Sequence, residues 1–283
     1  MRTVGVVGGG IMGAGIAYSV ASQIDCKVVL REVSADAISA AKQRFDASVK
    51  RAEKKGTPTQ LLDTWMSRMQ YTTEIDAFSE ADLVVEAVFE NLELKRKIFS
   101  DLDRIVPAPK LLCTNTSGLS ISMIGGATQY PERVIGTHFF NPVPAMKLVE
   151  IVTGLATNQE TITATRSFCE QLGKETIFVK DFPGFVVTRV GQAMMAEAVR
   201  CLEQGVASAA DIVRGMRLGY NYPMGPLELI DLIGVDTELR VMQSMFEEMG
   251  ETFRPSPLIK SMVAAGHLGR KSGRGFYDYK RPD

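Results

Sequence analysis

Only two histidines occur in the chain, His138 and His267. His138 lies in GTHFFNPVPAMKLVE, twelve residues before the carboxylate of Glu150, with Pro142 and Pro144 between them. An imidazole titrates near neutrality, so it can take or give a proton at physiological pH. A carboxylate on its far ring nitrogen fixes the tautomer and stabilises the imidazolium. The apolar runs 133–140 and 147–152 read as two strands, and positions 138 and 150 are equidistant from Pro144. If the strands fold back about that loop, the two residues face each other with Cβ atoms ~5 Å apart. The competing reading makes His138 an ordinary strand residue and Glu150 a solvated edge residue. His267, in AAGHLGRKSG, sits among glycines and cations and reads as a surface residue.

A second chemical signal precedes it. Gly8, Gly9, Gly10, Ile11, Met12 and Gly13 spell GGGIMG, which satisfies G-x-G-x-x-G directly after VGVV and at the start of a helix-like run. In that context the first glycine permits a tight turn, the second lets a pyrophosphate approach the backbone, and the third lets helix and strand pack closely. The helix N-terminus supplies N–H groups and positive dipole to the phosphates. Glu32 ends the next apolar run, 19 residues after Gly13. An acid there binds ribose hydroxyls and repels a 2′-phosphate, which favours NAD over NADP. Arg31 beside it would suit a 2′-phosphate, but adjacent strand residues point to opposite faces, so only one of them faces the ribose. A nicotinamide enzyme oxidising an alcohol needs a base for the hydroxyl proton. The loop and the His138–Glu150 spacing therefore favour the acid–base reading.

Two further stretches are polar enough to bind. CTNTSGLS (113–120) ends an apolar run, where ligands of open α/β sheets sit; Ser117 is placed to meet a substrate oxygen and Ser120 to cap the next helix. ASVKRAEKKG (47–56) brings Lys50, Arg51, Lys54 and Lys55 together, either for ligand phosphates or as a solvated helix end.

The elements that must hold these residues follow from periodicity. Apolar runs at 4–8, 27–33, 82–88, 110–115, 133–140, 147–152 and 176–180 alternate with helix candidates starting after Ser34, Thr59 and Asn91. Alternation of this kind predicts βαβ units and a mostly parallel sheet. From DFPGF (181–185) onward the texture is helical, with segments at roughly 184–204, 208–218, 226–249 and 257–265, and one further strand candidate at FYDY (276–279). The expected architecture is a Rossmann-type α/β domain over 1–183 and an all-α domain over 184–283. Eight of the 14 methionines lie in the second part, as core filler or at a subunit interface. A net charge of −1 gives no electrostatic case for nucleic acid or anionic membrane, and no apolar run approaches the ~18 residues of a membrane span. The opening MRTVGVVGGG is not expected to act as a leader. The four cysteines, without CxxC spacing, suggest reduced thiols and a cytoplasmic setting, with no metal site.

Taken together, the motifs GGGIMGAGIA, EADLVVEAVFENLELK, NTSGLSI, RVIGTHFFNPVPAMKLVEIV, DFPGFVV, PMGPLELIDLIGVDT and GRKSGRGFYDY resemble the L-3-hydroxyacyl-CoA dehydrogenase family, its bacterial 3-hydroxybutyryl-CoA branch above all, along essentially the whole chain. The resemblance implies an NAD-dependent oxidoreductase acting on short-chain acyl-CoA substrates in fatty acid metabolism. It puts the catalytic histidine on His138, the orienting glutamate on Glu150, and the serine shared by cofactor and substrate on Ser117. Cofactor contacts fall on Gly8 to Gly13, Glu32, Glu90, Lys95, Asn141 and Lys271, and coenzyme A contacts on Ser48 and Lys55. A homodimer through the helical domain is implied as well.

Two positions depart from the family pattern. Thr188 stands where the family has an Asn of the substrate-side hydrogen-bond network, and Tyr222 where it often has His. Thr lacks the planar donor–acceptor pair of Asn. That leaves two rivals open: a related hydroxy-acid or sugar-acid dehydrogenase, and a weakly active cofactor-binding homologue.

Overall fold

Short apolar runs assemble into one eight-stranded sheet in a computed structural model that describes residues Met1–Tyr279. In chain order the first unit runs β1 (Thr3–Val7), α1 (Ile11–Gln23), β2 (Lys27–Arg31), α2 (Ala35–Lys54), α3 (Thr59–Ser67), β3 (Met69–Thr72), β4 (Leu83–Glu86), α4 (Leu92–Ile105), β5 (Leu111–Thr114), α5 (Ile121–Gly125), β6 (Val134–Phe139), β7 (Leu148–Thr153), α6 (Gln159–Gln171) and β8 (Glu175–Lys180). The strand order is β3-β2-β1-β4-β5-β6-β7-β8. All neighbours are parallel except β6 and β7. This is the Rossmann-type, mostly parallel architecture that the alternation predicts. Its inner strands are apolar on both faces because helices cover both. Val4, Val6, Leu83 and Val85 pack into one core layer, and Val7, Val84 and Leu112 into the other.

Local signals place most of the helices. Ser34, Asn91 and Ser120 each cap a helix by accepting from the N–H three residues on. Thr59 does not cap: Pro58 holds the capping position and Thr59 is the first helical residue. Strand β3 is not among the apolar runs of the sequence. Its MQYT is short, half-exposed and paired only with β2, so it carries no buried apolar run to betray it.

The second compact unit starts at Val186; the first comprises Met1–Phe185. It contains α7 (Val187–Glu203), α8 (Ala209–Gly219), α9 (Pro226–Ile233), α10 (Val235–Met249) and α11 (Pro257–Ala264). The single helix expected over 226–249 is two helices, because Gly234 adopts φ 106° and breaks the run. FYDY is not a strand. The backbone N–H groups of Phe276 and Tyr277 bind the Asp231 carboxylate at 3.0 and 3.1 Å, which turns the segment instead of extending it. Met195, Met242 and Met262 fill the core of this unit. Among the described residues no helix is long and apolar enough to cross a membrane.

Candidate active site

The glycine loop closes β1 onto α1 with no room to spare. Gly8 adopts φ 93°, and a Cβ on Gly13 would lie 1.8 Å from the Gly8 carbonyl oxygen. Around Gly10, by contrast, a Cβ would meet nothing within 4 Å. Gly10 is the N-cap of α1 and offers no side-chain acceptor, so the first N–H groups of the helix face outward unsatisfied by a cap. An open glycine backbone before an uncapped helix start fits a dinucleotide pyrophosphate. Glu32, just past β2, accepts from the Gly9 N–H at 2.5 Å and the Val33 N–H at 3.1 Å. Arg31 points the other way and donates to the Thr73 carbonyl at 3.1 Å, as strand alternation requires. Arg44 of α2 reaches the Gly9 carbonyl at 3.3 Å, a contact with no signal in the sequence.

At β6 and β7 the antiparallel register pairs His138 with Glu150 directly. His138 Nδ1 lies 2.6 Å from Glu150 Oε2, with the glutamate fully buried and the histidine 6 % exposed. Glu150 is not an edge residue, because β8 pairs beyond β7. A carboxylate only accepts, so the facing nitrogen carries the hydrogen and Nε2 remains for proton exchange. Phe140 and Phe185 flank the ring with centroids 4.4 and 5.8 Å away.

The loops after β4 and β5 bring up the next groups. Glu90 Oε1 accepts from the Thr116 hydroxyl and, at 2.8 Å, from the Ser117 N–H, leaving Ser117 exposed. Asn115 Oδ1 accepts from the Phe139 N–H at 3.0 Å, which ties the end of β5 to the strand bearing His138. Asn141 is exposed just beyond β6. The glycine loop, Glu32, Glu90, Ser117, His138 and Asn141 thus share the carboxyl ends of the parallel strands, the usual ligand edge of such sheets.

Lys95 is placed differently from an open cofactor contact. It is fully buried, and its ammonium lies 2.7 and 2.9 Å from the two oxygens of Glu86, a residue within EADLVVEAVFENLELK to which the sequence assigns no role. A carboxylate inside the otherwise apolar LVVE is the one sequence signal that points to it. Burial raises the pKa of Glu86, against the lowering effects of Lys95, Thr114 and the Val88 N–H. Since the contacts to Lys95 and the Val88 N–H are donors, the carboxylate form is the one the geometry fits.

Ser48, Arg51 and Lys55 line a surface cavity of about 410 Å3 together with Pro142, Pro144 and Lys174. Ser48 and Arg51 share one face of α2 and Lys55 caps its C-terminus, while Lys50 and Lys54 do not line the cavity. Lys174 is buried and ties down the loop after β6 by donating to the Val143 and Met146 carbonyls at 2.6 and 2.8 Å. Burial lowers its pKa.

Thr188 and Lys271 belong to the second unit. Thr188 is half-buried in the first turn of α7, and Lys271 pairs with Asp236 at 2.5 Å. His267 is half-buried in a loop, more enclosed than expected.

Comparison with known proteins carries the same residues into a family. Residues 3–182 match the NAD-binding domain of 3-hydroxyacyl-CoA dehydrogenase, and residues 184–279 match its C-terminal domain. The chain is 42% identical over 282 residues to a probable 3-hydroxybutyryl-CoA dehydrogenase of Bacillus subtilis, covering 99% of this chain and 98% of that protein. It is 41% identical to the mitochondrial hydroxyacyl-coenzyme A dehydrogenase of Mus musculus, covering 99% and 92%. The crystal structure of (S)-3-hydroxybutyryl-CoA dehydrogenase from Ralstonia eutropha superposes with a TM-score of 0.94 at 42% identity, covering 99% of this chain and 100% of that one. The chain therefore belongs to the 3-hydroxyacyl-CoA dehydrogenase family, as an oxidoreductase that uses NAD.

Proposed function

We propose that the protein interconverts a short-chain L-3-hydroxyacyl-CoA, 3-hydroxybutyryl-CoA in the first instance, and its 3-oxoacyl-CoA. The observation that carries this reading is the buried His138–Glu150 pair at 2.6 Å, on the ligand edge of a sheet whose first turn fits a dinucleotide. Bound NAD supplies the hydride acceptor, or NADH the donor. His138 Nε2 takes the substrate hydroxyl proton as hydride leaves C3, and returns it in reverse. Glu150 stabilises the imidazolium and holds its tautomer. Ser117 holds the reacting oxygen. Gly8 to Gly13 would hold the pyrophosphate and Glu32 a ribose, and Glu90 and Asn141 would contact the cofactor, with Lys95 behind Glu90. Family resemblance adds Lys271 as a further cofactor contact. Ser48 and Lys55 bind coenzyme A at the cavity they line. Names of relatives such as the Bacillus and Ralstonia enzymes support the C4 thioester as substrate.

His138→Gln is expected to lower turnover by ~10²–10⁴, the usual contribution of a positioned acid–base group, while NADH still binds. The assay is NADH absorbance with acetoacetyl-CoA. Near-normal turnover in the variant would sink the assignment.

A further inference from the structure

Lys95 stands between two carboxylates and is shared unequally. Its ammonium is 2.7 and 2.9 Å from Glu86 but 3.7 Å from Glu90 Oε2. It also donates to the Asn115 carbonyl at 3.2 Å. Glu86 is anchored from three directions, by Lys95, by the Thr114 hydroxyl at 2.7 Å and by the Val88 N–H at 2.6 Å. Glu90 is only half enclosed, with its side chain 45% exposed. Its Oε1 is spent on Thr116 and Ser117, and its Oε2 is the oxygen left to accept from a ligand hydroxyl or amide.

We propose that Glu86 is a positioning residue for cofactor binding: it holds the Lys95 ammonium back from Glu90, so that Glu90 Oε2 stays free to accept from the cofactor. The same three donors hold the turn after β4 and the end of β5 together, because Val88 and Thr114 lie on those two segments. Removing the Glu86 charge frees a buried ammonium whose nearest remaining carboxylate is Glu90. Closing the 3.7 Å gap would form a charge-assisted hydrogen bond and take up the acceptor. This rests on the reading of Glu90 as a cofactor contact.

The test is NADH titration by fluorescence in a set of variants, with near-ultraviolet circular dichroism to establish folding. Glu86→Gln is expected to weaken NADH binding at least tenfold. The double variant Glu86→Gln/Lys95→Met removes the intruding ammonium along with the charge it was paired to. Neutral replacement of a whole buried pair is commonly tolerated, so this double variant is expected to recover most of the loss. A purely structural role for Glu86 would predict the opposite order, with the double variant no better than the single. Should Glu86→Gln not fold, Glu86→Asp draws the carboxylate back by one methylene and is read against the same double variant. Binding within twofold of wild type in the folded single variant, or no recovery in the double, overturns the inference. Glu90→Gln separates the two levels. If it binds NADH as wild type does, the reading of Glu90 fails; if it loses affinity while Glu86→Gln does not, only the role of Glu86 fails.

Discussion

His138 and Glu150 are legible in the sequence because antiparallel pairing turns symmetric spacing about a loop into contact. Glu86 and Lys174 are not. Each matters through a partner distant in sequence, and a lone carboxylate in a strand or a lysine after a helix carries no periodic signature. The burial of Lys95 and its pairing with Glu86 are likewise set by what packs around them, not by the motif that contains them. Thr188 is one of the two positions, with Tyr222, where the resemblance and this chain part. A single charge-stabilising donor is worth ~10²–10³ in turnover, so restoring a planar amide by Thr188→Asn is expected to raise kcat on acetoacetyl-CoA by about tenfold or more. A panel of 3-oxoacyl-CoA substrates of increasing length measures this. An unchanged kcat across the panel would remove Thr188 from the reacting centre.

Among the elements, the strands buried on both faces are the most legible, because continuous apolar runs admit few alternatives. What escapes the pattern is set by local backbone geometry: the half-exposed β3, and the break at Gly234, whose φ of 106° no hydropathy pattern records. Helices α7 and α10 add a pH response. Gln192, one helical turn after Thr188, donates from Nε2 to Glu238 Oε2 at 2.8 Å, and both side chains are buried. Burial pushes the Glu238 pKa from the ordinary 4.5 up to about 7. Between those values the folded protein holds a proton that the unfolded chain has released. Stability is therefore expected to fall as pH rises from about 4.5 to about 7 and to level off above, by about 3 kcal/mol at most from this group. Glu238→Gln should flatten that part of the melting temperature–pH curve. An unaltered slope would show that Glu238 is already ionised in the fold.

On the scale of the whole molecule, the sequence divides where its texture changes, at DFPGF, and the two compact units meet in the chain at Phe185 and Val186. The helical unit leaves Leu218 76%, Tyr220 72% and Val190 65% exposed, and the resemblance implies a subunit contact through this unit's surface. We infer that a second copy of the chain covers it. Light scattering at micromolar concentration is expected to give twice the mass of one chain, and a single-chain mass would refute the dimer. The β6–β7 hairpin has a consequence for how this enzyme can vary. Its His138–Glu150 pair is held by strand register, and the connection from Phe140 to Lys147 lies outside the paired residues. Residues can therefore be added to or removed from that connection without separating His138 from Glu150. A deletion of one residue between Leu148 and Glu150 has no such freedom, since it swings the carboxylate to the opposite face of the sheet. Register thus keeps His138 and Glu150 in step whatever the length of the connection, which makes the hairpin a counting device as much as a scaffold, while Asn141 and the Lys174 contacts to Val143 and Met146 set which parts of the connection must stay.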